Sequence, residues 1–117
     1  MDWILAHFIG DYLLQNDWMA KGKKNNPGIC LVHVVCYMLP FLFTAFAWWQ
    51  LLLIAVQHFW QDRSNFVAWY MKTMGKTDFM KAPFTPWSYI LMDNLFHIVF
   101  IALVAALPGW WLAVIQA

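Results

Sequence analysis

Three histidine–aspartate pairs stand four residues apart in this chain: His7 with Asp11, His58 with Asp62, and Asp93 with His97. Residues at i and i+4 share one face of a helix, so each pair forms a two-toothed polar grip. His33 is the remaining histidine of the four. A mixed set of imidazole nitrogens and carboxylate oxygens suits zinc, iron or manganese better than calcium or magnesium. The pattern is analogous to the helical H-E-x-x-H grip, where i,i+4 ligands hold one metal, and to dimetal bundles fed from facing helices. The expected metal ligands are His7, Asp11, His33, His58, Asp62, Asp93 and His97. One or two divalent transition-metal ions are implied, with two favoured because these donors exceed a single tetrahedral or octahedral shell. A metal-free proton relay, or separate interhelical hydrogen bonds, are the plainer readings of the same residues.

Around these donors stand groups able to assist. Arg63 follows Asp62 directly and is suited to holding a phosphate or another anion beside the metals; its plainer role is to snorkel to lipid headgroups or pair with Asp62 or Asp17. With His58 and Asp62 it makes up the expected catalytic set. Gln15, Gln57, Gln61, Asn65 and Asn94 are candidates for orienting the imidazoles and carboxylates. Gln61, three residues after His58, is the strongest of these. Cys30 and Cys36 flank His33; their spacing does not suit a disulfide, and buried small hydrophobe is the simpler reading of both.

The elements that must position these groups are strongly apolar. Of 117 residues 63% are hydrophobic and 11% charged, the six acids are all aspartate, and the net charge is +1. Soluble domains carry about a quarter charged residues. The composition excludes a disordered chain, a basic nucleic-acid-binding domain, an ordinary soluble enzyme and a second domain. It predicts an all-α fold, a polytopic membrane protein with four transmembrane helices in a compact bundle.

The first span is expected over Trp3 to Ala20, followed by a loop from Lys21 to Gly28. The apolar block from Ile29 to Gln61 is too long for one crossing and divides near Ala45 to Trp49, with Pro40 as the alternative break. A third helix runs from about Gln50 to Lys72, and a fourth from about Trp87 to Leu107. Pro108 and Gly109 end it, leaving Trp110 to Ala117 as a short interfacial segment. The N-terminus lacks the basic region of a signal peptide, so the first helix is expected to stay. The lysines fall in the first and third loops, which places both on the cytoplasmic side and both termini outside. Lys21, Lys23 and Lys24 are expected to set this topology and to touch anionic lipid.

The opening His7-Phe8-Ile9-Gly10-Asp11-Tyr12-Leu13-Leu14-Gln15 resembles the H-F-x-x-D-x-x-x-Q start of an uncharacterised family of small bacterial and phage inner-membrane proteins. The resemblance continues at His33, at His58-Phe59-Trp60-Gln61-Asp62 and at Asp93-Asn94-Leu95-Phe96-His97. That family is distantly akin to proteins classed as membrane-bound metal-dependent hydrolases. In the family a lysine tends to follow the third-helix aspartate by three residues; here that place is Asn65, and Asn94 stands where a glutamine often follows the last aspartate. The resemblance implies a bacterial inner-membrane location and supports the metal more than the reaction.

The leading functional expectation is a membrane-embedded metal-dependent hydrolase acting on a phosphate- or ester-containing amphiphile. The metal would acidify a bound water, and a free carboxylate or imidazole would move its proton. Membrane lipid, and a lipid-linked or other anionic substrate, are the expected partners; nucleic acid is not. One alternative is a structural or interaction protein whose metal staples a small bundle. Another is an ion- or proton-transport element, which with so few helices demands a homo-oligomer.

Overall fold

Asp2 starts the first helix by accepting a hydrogen bond from the Ile4 amide at 2.6 Å, the usual way a short acidic side chain satisfies an open helix end. The computed structural model describes residues 1–107. Helix α1 (Trp3–Phe8) passes into a π-helical turn over Ile9–Leu13, marked by the Leu14 amide bonding to the Ile9 carbonyl five residues back. Asn16 then caps a separate short helix, α2 (Asp17–Gly22). Asn26 caps α3 (Pro27–Met38), where Pro27 occupies a first-turn position that needs no amide proton.

Pro40 ends that run, and the chain continues as a 3₁₀ turn over Pro40–Phe43. Helix α4 (Trp48–Arg63) begins with the Gln50 side chain accepting from the Ala47 amide. Extended backbone at Ser64 separates it from α5 (Phe66–Thr73). Turns from Gly75 onward lead into α6 (Trp87–Ala105). Ala6, Tyr37, Phe41, Ile54, Ile101 and Val104 form the hydrophobic core, so α1, α3, the 3₁₀ turn, α4 and α6 all meet there. The buried histidines lie against this core, joined to it through Tyr37.

The expectation of four transmembrane helices is wrong. Among the described residues, α6 alone is long and apolar enough to cross a membrane. The first expected span breaks into α1, the π turn and α2, because Asn16 ends one segment and caps the next. The second stops at Met38 before Pro40, and the third is cut between Arg63 and Phe66. Hydropathy registered the apolar content of these stretches, but a polar cap and a proline divide a helix however apolar its flanks. The assignment of both termini to one outer face depended on four crossings and loses its basis. The expected interfacial segment, Trp110 to Ala117, lies outside the described residues.

Candidate metal centre

Gly10 lets the π turn sit directly on α3: a Cβ there would lie 2.6 Å from the Tyr37 carbonyl oxygen. That close approach carries the neighbouring Asp11 to His33. On the other side α4 packs along α3 and presents His58 and Asp62 to the same point. The Nε2 atoms of His33 and His58 stand 3.0 Å apart. They lie 3.2 and 3.0 Å from Asp62 Oδ2, and 3.3 and 3.7 Å from Asp11 Oδ1. Ligands bound at about 2.0–2.1 Å in a tetrahedral shell are separated by about 3.3 Å, so these spacings fit one ion.

All four residues are buried. Asp11 Oδ1 and Asp62 Oδ2 accept no well-aligned hydrogen bond among the described residues. Asp62 Oδ2 has the Lys23 ammonium at 3.3 Å, Asp11 Oδ1 has the imidazoles of His33 and His58 beside it, and buried carboxylate oxygens so placed are costly. Here they face imidazole nitrogens that offer lone pairs when neutral, and a cation between them would satisfy all four donors. The residues present therefore fit a metal ion. This is a buried His/Asp cluster capable of coordinating one.

A second group of donors adjoins the first. Asp11, Asp93 and His97 also bring their ligand atoms within 4.8 Å of one another. His97 Nε2 lies 3.3 Å from Asp62 Oδ1 and 3.5 Å from Asp93 Oδ2. Its ring stacks on His58, centroids 4.1 Å apart, and His58 in turn stacks on Tyr37 at 3.8 Å. Two glutamines tie the outer edge of this group together. His97 Nδ1 meets Gln57 Oε1 at 3.3 Å; Gln57 Nε2 donates to Gln61 Oε1, and Gln61 Nε2 donates to Asp93 Oδ1. With Nδ1 donating into this relay, Nε2 is left facing the carboxylates.

Lys23 supplies the balancing positive charge. Its Nζ lies 3.3 Å from Asp62 Oδ2 and donates to Gln15 Oε1 at 2.9 Å. Burial by itself would pull the ammonium's pKa down, but the charges of Asp62, Asp11 and Asp93 outweigh it and raise the value. Burial pushes the Asp11 carboxyl up; the adjacent His33 imidazole and the charges of His58 and Lys23 more than reverse this, lowering it to about 2. A cavity of about 460 Å³ reaches the group, with Asp11, Asp62 and Asp93 in its wall beside Lys23, Lys24 and Gln61.

Six of the seven expected ligands, Asp11, His33, His58, Asp62, Asp93 and His97, thus fall in these two adjoining groups. His7 does not. It is fully buried, but Nδ1 meets the Tyr37 hydroxyl at 2.7 Å and Nε2 meets Asn94 Oδ1 at 2.9 Å. The His7 side chain is thereby committed to Tyr37 and Asn94, while Asp11, in the π turn, meets His33 and His58. Asn94 Nδ2 also donates to the Tyr12 hydroxyl. Arg63 is exposed, stacks over Phe59 at 5.9 Å and is not among the residues around the cavity.

Two participants escaped the sequence reading. Tyr37, which stacks on His58, lies four residues after His33, and the i,i+4 rule applied to α3 would have found it. Lys23 belongs to a surface-looking lysine cluster, and no spacing rule connects it to Asp62.

No curated protein and no solved structure matches this chain. A family profile does, over residues 1–116, and it is described as a protein of unknown function, DUF3307. The chain that folds its aspartates and histidines into this buried cluster belongs to the DUF3307 family.

Proposed function

We propose that this protein binds a divalent transition metal through Asp11, His33, His58 and Asp62, and that the ion ties the π turn, α3 and α4 into one unit. The observation that carries this reading is the convergence of four buried donors, with Asp11 Oδ1 and Asp62 Oδ2 turned toward the imidazole nitrogens of His33 and His58 at 3.0–3.7 Å. The ion acts as a structural staple, which chains with small cores often need. Zinc, manganese and iron suit the mixed nitrogen and oxygen donors. The test is a thermal melt before and after chelation. The melting temperature should fall with chelator and recover on adding one of these metals; a melt that neither treatment moves contradicts the reading.

The location that accompanies this reading is an integral membrane one, through α6. Leu91, Leu95, Val99 and Leu103 make an i,i+4 stripe along that helix, each between 44% and 63% exposed. Exposed apolar surface of this extent favours lipid contact. The chain should stay in the membrane pellet through alkaline carbonate washing, and release into the supernatant contradicts this location.

A metal-dependent hydrolase is the second reading, favoured by the cavity that Asp11, Asp62 and Asp93 share with Lys23 and Lys24. A bound metal would supply an acidified water and polarise a phosphoryl or ester group. Lys23 and Lys24, rather than Arg63, stand where an anionic headgroup would be held. Asp93, with its side chain 29% exposed, stands at the cavity edge of the group. The substrate class is an amphiphile carrying a phosphate or ester. Lys24→Ala should weaken binding of such a phosphate compound at unchanged metal content; equal binding by wild type and variant counts against this reading.

A further inference from the structure

We propose that the centre holds two metal ions rather than one, with Asp62 and Asp11 shared between them. This rests on the metal-binding reading above and adds to it a second position with its own ligands.

Asp62 divides its two oxygens between the two donor groups. Oδ2 faces His33 and His58 at 3.2 and 3.0 Å, while Oδ1 faces His97 at 3.3 Å. A carboxylate turned in this way bridges two ions instead of chelating one. Asp11 belongs to both donor groups. The inner position is then made by His33, His58, Asp11 and Asp62, and the outer one by His97, Asp93 and Asp11, with Asp62 Oδ1 adjoining it at His97.

The outer group has the features of a cation site in its own right. Charge-assisted hydrogen bonds run about 2.7–2.9 Å, yet His97 Nε2 stands 3.3 and 3.5 Å from the carboxylates of Asp62 and Asp93. The first is within hydrogen-bond reach, and both are close to the spacing of ligands around one ion. The relay through Gln57 and Gln61 engages His97 Nδ1 and Asp93 Oδ1, which leaves His97 Nε2 and Asp93 Oδ2 directed inward. Glutamines that fix both the ring and the carboxylate are the outer support that metal ligands commonly have.

Charge decides what a second ion must bring with it. Asp11, Asp62 and Asp93 contribute three negative charges and Lys23 one positive. One divalent ion brings this set to neutrality, and a second leaves an excess of positive charge facing the cavity. The outer ion is the one next to that cavity, because Asp93 is partly exposed while His33 and His58 are not. The pair would therefore take an anionic oxygen ligand, such as a phosphate or carboxylate group, on its cavity side.

The experiment is manganese loading of the full chain in detergent, read by equilibrium binding and by electron paramagnetic resonance. Ions in carboxylate-bridged pairs lie about 3.5–4 Å apart, so wild type should bind two equivalents and give an exchange-coupled spectrum. Asp93→Asn, which keeps the shape of the side chain, should bind one equivalent and give the six-line spectrum of an isolated ion. One equivalent in wild type overturns the second position and leaves the single-ion reading standing. Two equivalents without exchange coupling overturn the shared bridging. No bound manganese, together with no bound zinc or iron, overturns both. The wild-type spectrum alone decides the matter if Asp93→Asn fails to fold.

Discussion

The two donor groups differ in how their polar atoms are satisfied. In the inner group His33 and His58 are closed off from solvent, and the Nδ1 atoms of both have no hydrogen-bond partner among the described residues. In the outer group His97 and Asp93 are held by the glutamine relay, and Asp93 reaches the cavity. The inner group depends on a cation to offset its burial, whereas the outer group is organised before any cation arrives. An ion in the inner position should therefore govern stability and leave slowly. An ion in the outer position should govern exchange and whatever ligand the cavity admits.

The largest expected effect comes from the inner group. His58→Ala removes a ligand that also stacks between Tyr37 and His97. Outer supporting partners alone are worth about 10–100-fold in metal affinity, so losing this ligand should cost more than about 100-fold. Metal titration of wild type and variant measures this. A variant that keeps wild-type affinity would remove the distinction between the groups.

Gly10→Ala should come next. The new Cβ would meet backbone, the Tyr37 carbonyl at 2.6 Å, so the π turn must move away from α3 and take Asp11 with it. A thermal melt should show destabilisation of about 1–3 kcal/mol, as overpacking usually does, together with weaker metal binding. Stability lost without any change in metal affinity would detach Asp11 from the inner group.

Lys23→Met sharpens the comparison in the opposite direction. The ammonium lies 3.3 Å from the Asp62 oxygen that an inner ion would take. Without it the metal-free protein should be less stable, while metal affinity rises on the order of tenfold through relief of like-charge repulsion. Calorimetric titration checks the sign. Weaker metal binding would mean that Lys23 supports the ion instead of competing with it.

The smallest effect belongs to Arg63→Ala. The side chain is exposed and does not reach the cavity, so stability should stay within about 0.5 kcal/mol and metal content should not change. A clear loss of bound metal would bring Arg63 back to the centre.

Much of the site was legible because four-residue spacing is a local property. His58 with Asp62, and Asp93 with His97, sit on regular α-helix and appear where the spacing rule puts them. His7 and Asp11 have the same spacing, but Tyr37 and Asn94 occupy both ring nitrogens of His7, and a local spacing rule does not reveal partners that come from α3 and α6. Arg63 and Lys23 exchanged roles for a tertiary reason: Arg63 ends α4 facing outward, while the short α2 folds back to bring Lys23 against Asp62. The number of long helices was misread for a simpler cause. Apolar content was summed across Asn16, Pro40 and Ser64, each of which interrupts the backbone helix.

The most direct test of the central claim is the metal-to-protein ratio of the chain purified without chelator, set beside that of the His33→Gln, His58→Gln double variant. Elemental analysis should find zinc, manganese or iron in wild type at one equivalent or more, and a large loss in the double variant, whose two substitutions remove both imidazoles of the inner group. Equal ratios in the two proteins, or no transition metal in wild type even after incubation with these ions, would contradict a metal centre built on Asp11, His33, His58 and Asp62.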